Sequence, residues 1–514
     1  MVAAGILLSR LAGLIRSRVL AHYFATSDAA DAFVAAFRIP NLLQNLFGEG
    51  ALSASFIPVY AALLARGDRK EADRVAGAVG ALLAVIVSVL VLAGVAFTPS
   101  LIDAIAYGFT GAKRELTIRL VRILFPGVGL LVLSAWCLGI LNSHRKFFLA
   151  YSAPVIWNAA IIATLIWFGG TVGQYRLAAL AAWGSVAGSA LQLGVQLPVV
   201  MRLARGLRPT FDMASEHVRT VARNFWPTFA SRGVVQISAY IDALIASLLP
   251  TGAVAALGYT QILYTLPVSL FGMAVSAAEL PEMSSATGER AEVSAYLRAR
   301  LDGGLRQLAF YIVPSAVAFA ALGQVLAAAI FQTGRFTRSD SFWVWGILAG
   351  SSVGLLAGTM GRLYSSAFYA LRDTRTPLRF AIVRVVLTTV LGFLAALPLP
   401  GLIGIPQRWG VAGLTASAGV AGWVEFLLLR RALDERIGET GLDWAYGARL
   451  WASAALAALV GGGLALATPA DLALRHPVGV AIFVIGAYGL VYYGVTGLLG
   501  IPEARLLLAR FRRR

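Results

Sequence analysis

Charged side chains are scarce in this 514-residue chain: Asp, Glu, Lys and Arg make up 13% of it, about half the share of an ordinary soluble protein. Cysteine is nearly absent. Cys137 alone cannot form an internal disulfide, and without a CxxC pair thiol redox chemistry and cysteine zinc sites are excluded. The histidines, His22, His144, His217 and His476, are scattered without the paired spacing of metal ligands. Lysine occurs only as Lys70, Lys113 and Lys146, none in a GxxxxGK[ST] loop, so ATP is not the direct energy source. No Ser/His/Asp arrangement can be nominated, and the chain reads as a non-enzyme. The net charge of +18 does not mark a nucleic-acid binder, because the basic residues fall in short gaps between apolar runs instead of on one basic domain.

What the chain has in excess is apolar surface, 59% of its residues, with a mean hydropathy of +0.77. One water-soluble core could not hide so much, and the alternative is a bilayer. Apolar runs long enough to span recur at about 1–22, 30–62, 75–98, 119–142, 151–170, 177–201, 222–249, 254–281, 305–332, 341–369, 376–398, 409–430, 448–468 and 477–500. They do not alternate in polarity, so they predict helices, about fourteen of them, not barrel strands. Alternate gaps hold most of the basic residues, among them Arg66, Arg69, Lys70, Arg74, Arg145, Lys146, Arg202, Arg205, Arg372, Arg375 and the Arg-rich tail. This bias places both termini in the cytoplasm, which requires an even number of spans. The first segment does not read as a cleavable signal peptide, since it lacks a basic start and Arg10 interrupts its apolar run.

A faint internal echo supports the count. Val128-Gly-Leu-Leu131 returns as Val353-Gly-Leu-Leu356, and each precedes a basic turn, around 142–147 and 372–377. The offset of about 225 residues corresponds to six helices, so the two halves share one orientation and form a parallel repeat. The expected architecture is an all-α polytopic membrane protein. It has an N-lobe over 1–202, a C-lobe over 203–431, and two further helices with a basic tail over 432–514.

Polar residues inside the spans are the candidate site. Arg10 lies about 15 Å along the first helix and Arg16 about 9 Å further; arginines at such depth should face a polar cavity or a partner. In the second helix Arg38, Asn41, Asn45 and Glu49 follow i, i+3, i+7, i+11 and fall on one face, with Asp31 on the same line. Pro40 should kink this helix and Gly48-Glu49-Gly50 adds a second flexible point. Two readings are open: a structural ion-pair network, or a cationic cavity for an anionic head group with Asp31 and Glu49 orienting the arginines. The second lobe reads as poorer in buried charge, with Asp242 as a candidate cation or proton site or a paired carboxylate.

Several stretches resemble a known family. Ser9-Arg-Leu-Ala-Gly-Leu-Ile-Arg16, Ala30-Asp-Ala-Phe33, Phe37-Arg-Ile-Pro-Asn-Leu-Leu43, Phe47-Gly-Glu-Gly-Ala-Leu-Ser53 and Phe56-Ile-Pro58 are similar to the N-terminal signature of the MurJ (MviN) family. Its members are lipid II flippases of the multidrug/oligosaccharidyl-lipid/polysaccharide exporter superfamily. Phe331-Gln-Thr-Gly-Arg-Phe-Thr337 and Phe368-Tyr-Ala-Leu-Arg-Asp-Thr-Arg-Thr-Pro377 resemble its second-lobe signatures. The resemblance implies a multi-pass bacterial cytoplasmic (inner) membrane protein with two six-helix lobes around a cationic cavity. Its last two helices would form a groove for a polyprenyl tail. Lipid II, the undecaprenyl-diphosphate-linked peptidoglycan precursor, would move to the periplasmic leaflet by alternating access. The matching substrate-binding positions are Arg10, Arg16, Asp31 and Glu49; Arg38 and Gln44 join them, Gln44 standing where members often carry arginine. Ile262 stands at a second such position, and Ser17 replaces a frequent acid. Asp242 corresponds to a seventh-helix aspartate that binds sodium in some members, so Na+ or the membrane potential is the candidate driving force, with no other cofactor. The expected partners are the lipid-linked substrate, membrane lipids and cell-wall synthesis and division proteins. The alternatives are a flippase for another lipid-linked glycan, a cation-coupled small-molecule exporter, a non-transporting cell-wall scaffold, or a transferase using Asp28 and Asp31.

Overall fold

An apolar run in a bilayer must satisfy its backbone internally, and every regular element among the described residues is helical. The computed structural model describes the backbone of residues 2–211, 215–286 and 288–505, and their side chains except at 2–4, 6, 40, 48–51, 53–54, 226–239 and 290. The chain is an all-α polytopic membrane protein. It separates into two compact units, 1–255 with 333–335, and 256–332 with 336–514.

The first unit holds α1 (Val2–Phe24), α2 (Asp28–Leu43), a π-helical stretch (Gln44–Leu52) and α3 (Ser53–Ala65). It continues with α4 (Arg69–Ala96), α5 (Thr98–Ile105), α6 (Gly111–Ser143), α7 (Phe147–Phe168), α8 (Gln174–Leu203) and α9 (Glu216–Ser247), and with the start of α10 (Ala253–Pro267). The second unit carries the rest of α10, a π-helical stretch (Val268–Gly272), α11 (Met273–Ser284), α12 (Arg290–Phe331), α13 (Arg338–Ser352), α14 (Leu355–Ala370) and α15 (Arg375–Ala396). After these come α16 (Pro398–Leu402), α17 (Gly410–Ile437), α18 (Trp444–Ala467), α19 (Ala470–Arg475) and α20 (Pro477–Leu498).

Among the described residues ten helices are long and apolar enough to cross a membrane, or up to eleven if the bent pair α13 and α14, at 41°, is one span. Three stretches predicted to span stand outside that group: α1, α2 through α3, and α9. They are the ones interrupted by Arg10, Arg16, Asp31, Arg38, Glu49 and Asp242. α9 packs on α3 and the first π-helical stretch, which keeps it in the first compact unit.

The parallel repeat has structural counterparts. Each π-helical stretch follows a proline-bearing helix, and the two start about 225 residues apart, the offset of the sequence echo. The turns after α6 and α14 close alike. Arg145 and Arg372 both take φ of 60°, and Lys146 N–H and Asp373 N–H reach back to the carbonyls of Leu141 and Phe368, a Schellman closure. After α14, Asp373 also accepts from the hydroxyl and backbone N–H of Thr376, the Arg375 N–H and Arg436. These donors, Thr376 foremost, hold its carboxyl well below the usual range. That is what the Arg-Asp-Thr-Arg-Thr-Pro motif builds.

In the second unit α18 and α20 lie along α12 through tyrosines. Pro314 has no N–H for the Phe310 carbonyl, and the Tyr492 hydroxyl donates to that carbonyl at 2.7 Å. Tyr488 donates to the Pro314 carbonyl at 2.7 Å and Tyr446 to that of Arg306 at 3.1 Å. Gly354, at the α13/α14 break, meets Gly419 of α17 backbone to backbone: a Cβ on Gly354 would lie 2.4 Å from the Gly419 Cα. Gly354→Ala therefore forces two helices apart and should cost about 1–3 kcal/mol, seen as an earlier melt in detergent. Gly422→Ala, where a Cβ meets nothing within 4 Å, should melt like wild type; equal melting of both variants would refute the close crossing.

At the end of α6 the His144 Nε2 lies 3.0 Å from the Tyr60 hydroxyl. Burial lowers the His144 pKa, assisted by the charge of Arg69 and opposed by Asp73. A histidine kept neutral by folding must take up a proton on unfolding. Its contribution is therefore full above the unfolded value of about 6.5 and lost as pH falls from there through the lowered folded value. Melting temperature should drop on going from pH 7 to pH 5, and drop less in His144→Asn; parallel profiles would refute the assignment.

Candidate functional site

Arg16 is an arginine that the first unit holds on an aromatic ring and not on a carboxylate among the described residues. Its guanidinium lies over the ring of Trp157 on α7, 4.9 Å from the centroid. Trp157 is fixed in turn by donating to the Ser185 hydroxyl at 3.0 Å and by Phe37, 6.1 Å away. Arg16 Nε is buried with no hydrogen-bond partner, and no carboxylate pairs with Arg16 among the described residues. A desolvated cation on an aromatic face with a vacant donor is an anion-binding arrangement. Ser17, beside it, bonds back to the Gly13 carbonyl and leaves Arg16 its charge.

Arg10 does not join it. Six residues at 100° each put the two arginines about 120° apart on α1, and Arg10 is exposed while Arg16 is half-buried.

Asp31 is 1% exposed and has a full complement of donors. It accepts from the Gly252 and Ala255 backbone N–H groups, both at 2.8 Å, and pairs with the Lys113 ammonium. Lys113 also reaches Asp28 at 3.1 Å and lies 4.4 Å from the centre of the Phe109 ring, and the Thr251 hydroxyl donates to Asp28. Asp31 thus joins α2, α6 and the first turn of α10, where a carboxylate is favoured by the unpaired N–H groups and the helix dipole. Sequence reasoning missed Lys113, although a lysine three residues into a helix on the side poor in lysine was a visible signal.

Arg38, Tyr240 and Asp242 come together. The Tyr240 hydroxyl donates to the Arg38 carbonyl at 2.7 Å, and Tyr240 and Asp242 both act electrostatically on the Arg38 guanidinium. Asp242, the candidate sodium ligand, therefore lies within electrostatic reach of a cation. The expected one-face stripe does not continue past Leu43. The helix is continuous through Pro40 and changes to π geometry at Gln44, so 100° per residue no longer applies beyond it. Gln44 is half-buried and Asn41 and Asn45 are exposed, while the Glu49 side chain lies outside the described residues.

The second unit carries a charged cluster along its helices that the sequence reading did not single out. Arg384 of α15 pairs with Glu425 of α17 at 3.1 Å, and Arg362 of α14 lies within electrostatic reach of both and of Tyr264 on α10. Two arginines on one glutamate leave a net positive cluster inside the spans. Each sits about 12–18 Å from a helix end, a depth that could have flagged them as it flagged Arg16. Ile262 is a half-buried side chain on α10.

A profile described as lipid II flippase MurJ matches residues 20–473. The chain belongs to the MurJ family. The lipid II flippase MurJ of Burkholderia cenocepacia is 33% identical over 438 residues, 84% of this chain and 82% of that protein. The probable lipid II flippase MurJ of Haemophilus influenzae is 31% identical, covering 83% and 84%. A solved lipid II flippase MurJ in an inward closed conformation matches with a TM-score of 0.77 at 23% identity, covering 96% of this chain and 98% of that one. An inward-facing multidrug resistance MATE family transporter matches at 0.67 and 18% identity, covering 83% and 95%. Both structural likenesses concern the fold. The MurJ profile takes in Asp31, Arg38, Lys113, Asp242 and the Arg362, Arg384 and Glu425 cluster, while Arg10 and Arg16 precede its first matched residue.

Proposed function

We propose that this protein is a lipid II flippase that moves the undecaprenyl-diphosphate-linked peptidoglycan precursor from the cytoplasmic to the periplasmic leaflet of the bacterial inner membrane by alternating access. The observation that carries the reading beyond family membership is Arg16, a desolvated arginine held on Trp157 with a buried donor left for an anion. A diphosphate supplies the oxygens such a group lacks. The reaction makes and breaks no covalent bond, so the protein acts as a transporter and not as an enzyme. Both termini face the cytoplasm, as the excess of arginine in the alternate gaps supports. The driving force is Na+ or the membrane potential, with Asp242 released from Arg38 when it takes a cation. The transported lipid, bulk membrane lipids and cell-wall synthesis and division proteins are the partners. In a strain depleted of its own lipid II flippase, the protein should restore growth, and in proteoliposomes it should expose lipid II to the opposite leaflet. Correctly inserted protein that does neither would overturn the proposal.

A further inference from the structure

On α6 the residues Glu115, Arg119, Arg122 and Pro126 are spaced i, i+4, i+7, i+11 and therefore form one straight stripe. With Ile123 and Trp183 of α8 they line a groove of about 540 Å³ open to the outside of the first unit. The depth of this groove can be read from the helix. From Ile123 to Leu141 no residue of α6 is charged, a length of about 28 Å that fills the hydrocarbon core. Arg122 and Arg119 therefore sit at the head-group plane. Trp183, nine residues into α8, is 56% exposed at the same level, where interfacial tryptophans belong. Glu115 lies one turn further from the core.

Among the described residues the charges of this stripe are left without ion pairs, Glu115 acting only at a distance on the neighbouring Arg114. Glu115 and Arg119 are spaced to pair along the helix, yet neither they nor Arg122 makes an ion pair or side-chain hydrogen bond among the described residues. The neighbouring Arg114 is already satisfied by Asp103 at 2.8 Å. Two cations at the phosphate level and a carboxylate one turn outward match the order of charges in a lipid whose phosphate carries an amine.

We propose that this groove is a binding site for an amine-bearing glycerophospholipid such as phosphatidylethanolamine. Arg119 and Arg122 take the phosphate, Glu115 accepts hydrogen bonds from the ammonium, and Trp183 and Pro126 border the glycerol and upper acyl chains. A choline head group has no N–H to donate to Glu115, and a glycerol head group has no positive charge to offer it. The site is distinct from Arg16 and does not depend on which lipid is transported; with cytoplasmic termini it faces the outer leaflet.

The test is native mass spectrometry of the full-length protein in detergent, titrated with phosphatidylethanolamine, phosphatidylcholine and phosphatidylglycerol of matched acyl chains. Wild type should retain the ethanolamine lipid about three- to tenfold better than either competitor. Glu115→Gln should bring the ethanolamine-to-choline ratio to about one with total lipid retained. Arg119→Gln with Arg122→Gln should lower retention of both, and Arg122→Lys should restore part of it in a protein that keeps the charge. An unchanged ratio in Glu115→Gln, equal retention of the glycerol lipid by wild type, or displacement of the bound lipid by undecaprenyl diphosphate would each overturn the proposal.

Discussion

Arg16→Ala, inserted at the wild-type level, should fail to support growth of a flippase-depleted strain, and Arg16→Lys should recover only part of it. The first loss follows from what Arg16 holds in reserve. Its guanidinium lies on Trp157 with the Nε donor buried and unfilled, so part of the cost of stripping water from the cation has been met before the substrate arrives. Charge-assisted hydrogen bonds contribute about 1.5–3 kcal/mol each, so losing even one should lower the apparent affinity for the diphosphate about ten- to hundredfold. The partial rescue follows from shape. Lysine keeps the charge but has no flat face to stack on the indole and no fork to meet two oxygens. Trp157→Leu should weaken transport in the same direction with Arg16 intact, and Trp157→Phe less so. Normal growth of well-expressed Arg16→Ala would remove Arg16 from the site and with it the main local support for an anionic substrate.

The fold was legible because a bilayer leaves few solutions: apolar runs of spanning length and an uneven distribution of arginine suffice to place most helices. Arg16 was legible for the same reason, since depth along a helix can be measured by counting residues. The repeat was faint in sequence, a four-residue echo, and became firm only where π-helical stretches and left-handed arginines recurred at the same offset. What the sequence hid were partnerships between distant elements. Nothing near Asp31 says that its donors are Lys113 and the backbone of residues 252 and 255, and nothing near Arg384 points to Glu425 on another helix. The stripe through Arg38 and Glu49 rested on a different assumption. A period of 3.6 residues was carried through a segment whose hydrogen bonds close over five.

Asp31 divides the two readings of the polar second helix, and its variants decide between them. As part of a structural knot, Asp31→Asn leaves the Lys113 ammonium short of its buried partner and weakens acceptance from the Gly252 and Ala255 N–H groups. Breaking one side of a buried ion pair typically costs about 3–5 kcal/mol; Asp28, 3.1 Å from Lys113, keeps the loss toward the lower figure. Asp31→Asn should therefore melt well below wild type in detergent and accumulate poorly in the membrane. Adding Lys113→Met should return part of that stability, because the pair is then removed together and no lone charge remains buried. Transport should follow the amount of folded protein in both variants. If Asp31 instead served the substrate directly, Asp31→Asn would melt as wild type does while transport was lost, and Lys113→Met would restore nothing. The geometry favours the first outcome: a carboxylate that is 1% exposed and already accepts from two backbone amides and an ammonium has little left to offer a ligand.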